Sequence, residues 1–337
     1  MKGTNLSTTI ISRLRENIAG PGGLHYLDLT NSNAGPKELA VLADCIKYNF
    51  QNIEGVAPLI SMDLTGNHIC GVDFLMSGSP DASGLIELIN TFISIGVKCR
   101  MRKLMLSRNY IDLKGYNSLS NLLNNGPQSI SELYLRDCGL TGDSIVKFMD
   151  GIKQSKYLQI LDISHNNLGL TGCEALGEAL SVNSKLRQLI LSECDTGPIG
   201  MTSIVKGISL NVSLETLFLN DNNIQDDGAI AIANMIKLTT RVKHLDLQEN
   251  NIGIRGITEI SNAMKINRTV TFLGLQWNEL TNDSILPLCE MVAINPILRS
   301  IHILGTQIDE NGIKMILENS ILSGDKKLDI DLAFVRI

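Results

Sequence analysis

Several features that are common in membrane, secreted and redox proteins are scarce or missing in this chain of 337 residues. No apolar run approaches the roughly 20 residues of a membrane-spanning helix, so no membrane span is predicted. The seven cysteines form no Cys-x-x-Cys pair, and residues 1–20 lack the apolar core of a secretory signal. We therefore expect reduced thiols in a cytoplasmic protein. In such a protein the Asn-x-Ser/Thr triplets carry little weight as glycosylation sites; they begin at Asn5, Asn211, Asn267 and Asn282.

Excess positive charge is also missing. Lysine and arginine number 29 against 35 aspartates and glutamates, which gives a formal net charge of −6, and no segment is strongly basic. Proteins that bind nucleic acid or anionic membranes carry basic patches or stripes. We expect neither to be the main partner.

The motifs of small-molecule chemistry are missing as well. There is no phosphate-binding G-x-x-x-x-G-K-[ST] loop and no dinucleotide-binding fingerprint, and the five histidines have no metal-ligand spacing. Asp162, Ser164 and His165 have the composition of a catalytic triad, but His165 falls at a predicted turn and no oxyanion donor is evident. The sequence predicts no cofactor, no metal and no enzymatic activity.

What the chain does contain is an internal repeat, L-x-x-L-x-L-x-x-N/C. The second apolar position of the motif recurs in steps of 28 residues from 133 to 301, and positions 104 and 330 lie one step of 29 outside that run. The L-x-L core alternates with a period of two, which predicts a short strand with its leucines pointing inward. Helical spacing follows each strand, as in Leu176, Ala179 and Leu180. Because one strand and one helix cannot bury their apolar faces alone, neighbouring repeats must stack.

The stacking of these units predicts a curved fold. Neighbouring strands lie about 4.8 Å apart, whereas packed helices need about 8–10 Å. The side that carries the helices must therefore be longer than the side that carries the strands. We expect an α/β solenoid shaped like a horseshoe, with a parallel sheet on its concave face and helices on its convex face.

The asparagine or cysteine that ends each motif is predicted to be structural. A side chain buried at this turn must satisfy backbone groups of its own loop and of the neighbouring repeat, which a stacked asparagine ladder does. Cysteine is small and suited to burial in the same place. The predicted ladder consists of Asn67, Asn109, Cys138, Asn166, Cys194, Asn222, Asn250 and Asn278.

With this period, and with asparagine and cysteine sharing the turn position, the chain resembles the ribonuclease-inhibitor-like leucine-rich-repeat family from about residue 24 to 332. That group includes the repeat domains of NOD-like receptors, of the Ran GTPase-activating protein and of tropomodulin, and several ciliary and bacterial-effector proteins. The resemblance implies the horseshoe fold. It leaves the function open, because one scaffold hosts many roles.

The predicted domain organisation is a helical cap at residues 1–23 followed by a repeat domain at 24–337. The domain holds about ten repeats and a closing strand near Leu328–Leu332. The second repeat has 42 residues, and its surplus is assigned to an insertion at about 71–84. Insertions in solenoids form loops on one face. This one is either a tolerated surface loop or a contact with a partner.

A candidate binding surface lies on the variable strand positions that face the concave side. Aromatic residues make up only 4% of the chain, yet large rings collect here in the last four repeats, with acidic residues beside them. Such a mixture is typical of protein-binding hot spots; the alternative is that the rings cover the sheet and bind nothing. The predicted partner-binding residues are Phe218, Asp221, His244, Asp246, Glu249, Phe272, Trp277 and His302.

These features together predict a non-enzymatic scaffold that binds a protein with a basic or mixed surface through its concave face. A structural component of a ciliary or cytoskeletal assembly and a host-directed bacterial effector remain alternatives. A Ran-type GTPase-activating protein is disfavoured. The resemblance would place an arginine in the segment Thr65–Cys70, which has none, and the acidic tail of that family is also missing.

Overall fold

The computed structural model describes residues 25–52, 59–72, 77–321 and 328–331. The predicted cap at 1–23 lies outside the described residues, as does part of the predicted insertion. No helix in the described part of the chain is both long and apolar enough to cross a bilayer.

Short strands and longer helices alternate along the chain. The strands, each of three residues, are β1 (Tyr26–Asp28), β2 (Ser61–Asp63), β3 (Lys103–Met105), β4 (Glu132–Tyr134), β5 (Ile160–Asp162), β6 (Gln188–Ile190), β7 (Thr216–Phe218), β8 (His244–Asp246), β9 (Phe272–Gly274), β10 (Ser300–His302) and β11 (Asp329–Asp331). The helices are α1 (Pro36–Asn52), α2 (Ser83–Ile95), α3 (Leu113–Asn125), α4 (Gly142–Gln154), α5 (Gly169–Val182), α6 (Gly197–Leu210), α7 (Gln225–Leu238), α8 (Ile254–Ile266), α9 (Ile285–Ile294) and α10 (Glu310–Ile321), with 3₁₀ turns at Gly96–Lys98 and Asn282–Ser284.

The chain divides into two compact units after Asn166. In the first unit, β1 to β5 pair in sequence order, all parallel. In the second unit, β6 to β11 do the same. Equivalent repeat positions face each other across each pair, for example Leu217 opposite Leu245. The α/β repeat architecture predicted from the 28-residue period is confirmed.

The core of each unit lies between its sheet and its helices. The middle residue of each strand is buried, and the residues on either side are partly or fully exposed except Gly274 of β9, as Leu245 shows between His244 and Asp246. This follows from the period of two along a strand, which sends the middle side chain to the helical side and its neighbours to the opposite face. The variable positions of the repeat motif, on either side of the buried residue, therefore line the exposed face of the sheet.

The inserted segment is closed at its base. The backbone N–H of Asp81 donates to the carbonyl of Cys70 over 2.8 Å, so the two ends of the segment meet. Of the described residues between them, Gly71 is partly exposed, Val72 is buried, and Ser77 to Pro80 are exposed. Asp81 then accepts a bond from the N–H of Ser83, where α2 begins.

Candidate functional site

The residues that end the repeat motif are bonded to the backbone of their own and the preceding repeat. Asn222 is typical: its Nδ2 donates to the carbonyls of Leu191 at 2.7 Å and Leu219 at 2.9 Å, and its Oδ1 accepts from the N–H of Cys194 at 3.1 Å. Cys138 makes weaker bonds of the same kind, with its Sγ 3.3 Å from the carbonyl of Leu106. Burial raises the pKa of the Cys138 thiol, which leaves it protonated and unsuited to nucleophilic chemistry.

The residue just before each motif-ending position has a left-handed backbone conformation. In the second unit this holds for Glu193, Asp221, Glu249, Trp277 and Gly305, with φ between 53° and 73°. The conformation aims each backbone N–H at the next repeat; for example, Glu249 donates to the carbonyl of Gln276 and Trp277 to that of Leu304, both over 2.9 Å. The strain of a non-glycine residue in this region is offset by these bonds. The side chains of Asp221, Glu249 and Trp277 are exposed at this edge of the sheet.

Four rings on neighbouring strands form a continuous column on the exposed face of the second unit. Phe218 and His244 have ring centroids 5.1 Å apart at a tilt of 51°. His244 and Phe272 are stacked, with 3.9 Å between centroids and 5° between planes. Phe272 and His302 meet edge to face at 4.7 Å. All four rings are half-buried, so each ring covers part of its neighbour and leaves part open to solvent.

A carboxylate lies beside this column. Asp246 accepts from Nδ2 of Asn220 at 3.2 Å and from the N–H of Gln248 at 3.3 Å. On the next strand the matching position is Gly274, where a Cβ would overlap the Asp246 carboxylate. The lack of a side chain at Gly274 thus gives Asp246 its space on the sheet.

Trp277 and Gly305 continue the surface at the edge. The indole lies against Gly305, where a Cβ would overlap the ring, and 56% of the tryptophan remains exposed. Gln276, one residue earlier, places its Nε2 3.1 Å from Nδ1 of His302. The predicted partner-binding residues from Phe218 to His302 therefore lie on one continuous surface, with rings at its centre and Asp221, Glu249 and Trp277 at its edge.

The surroundings of His244 favour the neutral form of its imidazole. Burial lowers the pKa of His244, the nearby Asp246 carboxylate opposes that shift, and His302 adds to it. A neutral imidazole stacks on a phenyl ring without a desolvated charge. His244 therefore acts in this column as one more flat ring.

The three residues with the composition of a triad are not arranged as one. The hydroxyl of Ser164 donates to Oδ1 of Asp162 over 2.5 Å and accepts from Nη1 of Arg136 at 3.4 Å. Ser164 is fully buried, and His165 occupies the left-handed turn position. In a Ser-His-Asp triad the imidazole lies between the serine and the carboxylate, whereas here the buried serine is bonded directly to the carboxylate. Across the ranges that the structure describes, no three histidine, cysteine, aspartate or glutamate side chains converge as metal ligands would.

A second ladder, which the sequence analysis missed, lies at the ends of the helices. Asn211 donates to the carbonyls of Leu180 and Asn183 at 2.7 and 2.8 Å, and accepts from the N–H groups of Ser213 and Leu214. Its members recur every 28 residues: Asn183, Asn211, Thr239, Asn267 and Asn295, all buried. That spacing was the available signal. Two members, Asn211 and Asn267, also begin Asn-x-Ser/Thr triplets, and their side chains are enclosed by bonds of this kind.

Comparisons with known proteins agree with this architecture. A family model described as "Leucine Rich repeat" matches residues 154–177, 210–233 and 240–261. Chicken (Gallus gallus) leucine-rich repeat-containing protein 45 is 36% identical over 89 residues, 26% of this chain and 13% of that protein. Mouse (Mus musculus) ribonuclease inhibitor is 36% identical over 100 residues, 29% of this chain and 22% of that protein. The matched stretches therefore span less than a quarter of either relative's length.

A solved structure extends the likeness along the chain. The leucine-rich repeat-containing protein LegL7 from Legionella pneumophila superposes with a TM-score of 0.50 at 18% identity, and the match covers 85% of this chain and 86% of that one. At that identity the likeness concerns the fold alone. The repeat motif, its strand and helix, and the matches to ribonuclease inhibitor and other repeat proteins lead to one assignment. The chain has the leucine-rich-repeat fold, and its repeats are similar to those of ribonuclease inhibitor.

Proposed function

We propose that this protein is a non-enzymatic scaffold that binds another protein through the exposed sheet face of β7 to β10. The fold itself is suited to a protein-interaction scaffold, since its stacked repeats present one extended face. The observation that carries the choice of face is the column of Phe218, His244, Phe272 and His302, with centroids 3.9–5.1 Å apart.

Rigidity makes this column a good anchor. Each ring is held by its neighbours, so little side-chain entropy remains to be lost when a partner covers it. Interfaces derive most of their binding energy from a few large, well-packed side chains near the centre. Trp277, lying against Gly305, supplies a further broad apolar surface next to the column.

The charges around the rings favour a basic or mixed partner surface. Asp221 and Glu249 are exposed at the edge of the face, and Asp246 lies beside the rings. Complementary charge steers association and rejects wrong partners more than it adds affinity. We expect a partner that places lysine or arginine next to an apolar or aromatic contact.

The test is affinity capture from a native lysate with the wild type and with a Phe272→Ala, Trp277→Ala, Glu249→Lys variant. A matched control carries Ile199→Ala and Leu286→Ala, two exposed aliphatic residues on helices. All three proteins must keep the same circular dichroism spectrum. A partner retained by wild type and control but lost from the variant supports the proposal. An unchanged set of partners would remove this face from consideration.

A further inference from the structure

An exposed aliphatic residue ends each of five consecutive helices in the second unit. They recur at intervals of 28 residues: Val182, Leu210, Leu238, Ile266 and Ile294. Between 53% and 67% of each residue is exposed. Val212, close to Leu210 in the chain, is exposed as well. We call the five helix-ending residues the aliphatic stripe.

The repeat does not need this stripe for its own packing. The next residue of each repeat, such as Asn211 after Leu210, makes the bonds that close the helix end. Leaving a large aliphatic side chain in water forgoes the free energy that its burial would contribute. A row of such residues on a protein surface marks an interaction site more often than scattered single residues do.

Basic residues accompany the stripe. The five segments that lead from these helices to the next strands are 183–188, 211–216, 239–244, 267–272 and 295–300. They hold six cations and one acidic residue: Lys185, Arg187, Arg241, Lys243, Arg268 and Arg299 against Glu215. All six cations are exposed. Glu215 pairs with Lys243 at 2.8 Å and Arg187 at 3.3 Å, so its charge is already matched.

The opposite loops of the same repeats have the reverse charge. The segments 193–199, 221–227, 249–255, 277–283 and 305–311, which lead from strands to helices, contain ten acidic residues and one arginine, Arg255. The net charge of −6 for the whole chain therefore hides two edges of opposite sign. The basic edge is the one that carries the aliphatic stripe.

We propose that the stripe and its cations dock an acidic amphipathic helix of another protein. The apolar face of that helix lies along the stripe, and its carboxylates meet Lys185, Arg241 and Arg299. Packed helices lie about 8–10 Å apart, so the four intervals of the stripe span about 32–40 Å. At about 1.5 Å per residue, a partner helix of roughly 21–27 residues covers that length.

Two other occupants fit the stripe less well. Segments that insert into a membrane surface usually place tryptophan or phenylalanine beside leucine at the interface, and the stripe contains no aromatic residue. A second copy could offer its acidic edge. Among the described residues of that edge, however, the exposed aliphatic residues Ile199 and Ile254 do not recur at the repeat spacing, so no matching apolar row faces the stripe.

The test uses the full chain and a fluorescent designed peptide of 25 residues, with leucine on one helical face and glutamate on the other. A peptide of the same composition in scrambled order is the peptide control. We expect saturable binding in fluorescence anisotropy, at least tenfold weaker for the scrambled peptide. Leu238→Ser with Ile266→Ser should weaken binding at least tenfold, as should Arg241→Glu with Arg299→Glu. The control pair Ile199→Ser and Leu286→Ser, of similar exposure elsewhere, should not.

Three results would overturn the proposal. The first is equal binding of both peptides, or no binding of either. The second is stripe-dependent binding to vesicles of phosphatidylcholine and phosphatidylserine that exceeds binding to the peptide. The third is concentration-dependent dimerisation in sedimentation that the stripe variants abolish. None of these results depends on the ring column, so failure here and failure of the proposed function are distinguishable.

Discussion

The indole of Trp277 lies against the backbone of Gly305, one repeat later, in the space that a Cβ at residue 305 would occupy. Gly305 has φ +73°, so Gly305→Ala should introduce both backbone strain and a clash with the ring. We expect a loss of about 1–3 kcal/mol in the free energy of unfolding. Because Trp277 is the only tryptophan, its fluorescence maximum should also shift.

A matched control separates strain from clash. Gly169 has φ +60° and would have no heavy atom within 4 Å of an added Cβ. Gly169→Ala should therefore lower stability through strain alone and leave the tryptophan spectrum unchanged. Equal spectral shifts in the two variants would show that the indole does not lie against Gly305.

The second ladder predicts a large loss of stability from a single amide. Asn211→Ala leaves two backbone N–H groups and two carbonyls without their side-chain partner. We expect a loss of about 2–4 kcal/mol, measured by urea denaturation. Asn211→Thr should lose less, since Thr239 naturally holds this position and its hydroxyl accepts from the N–H groups of Arg241 and Val242. As a control, replacing the exposed Asn234 with alanine should change the free energy of unfolding by less than about 0.5 kcal/mol. An equally small change in Asn211→Ala would show that the second ladder contributes nothing to stability.

The ring column predicts the direction in which His244 titrates. Burial lowers the pKa of its imidazole below the ordinary value of 6.5, while Asp246 opposes the shift. Asp246→Asn should therefore lower the pKa of His244 further, as followed by the imidazole proton signals in NMR. In the folded protein His244 gives up its proton more readily than in the unfolded chain. The stability that the buried, neutral imidazole contributes is therefore present above pH 6.5 and is lost as the pH falls below that value. A pKa above 6.5, or one that rises in the variant, would contradict this arrangement.

Thiol labelling should distinguish one cysteine from the other six. Cys45 is exposed and the remaining cysteines are buried. The native protein should react quickly with about one equivalent of a disulfide reagent, and Cys45→Ser should remove that reaction. Burial and Asp44 raise the pKa of the Cys45 thiol, so its reaction at pH 7.5 should be slower than that of free cysteine and should accelerate as the pH rises. In denaturant all seven should react; fast labelling of Cys138 in the native state would contradict its burial.

The repeat and its strands could be predicted because the information is local. A leucine such as Leu245 must point to the helical side once its neighbours form a strand, and the period of 28 repeats this requirement along the chain. The asparagines at the turn could be predicted for the same reason, since the turn leaves backbone groups that only a buried amide satisfies. The second ladder has the same period, but its helix-end position coincides with no obvious motif, and so it was missed.

The α/β repeat architecture follows from the sequence alone, because leucines with a period of two within each strand and of 28 between strands are buried when successive repeats stack. The contacts between surface residues, in contrast, depend on how the repeats pack in three dimensions. Phe218 and His302 hold the third position of their strands, whereas His244 and Phe272 hold the first. Their contact depends on strand register and ring orientation across separations of 26–30 residues. The exposure of Leu238 and Ile266 could not be predicted from their spacing either. A helix-ending residue faces the core or the solvent according to the packing of the neighbouring repeats.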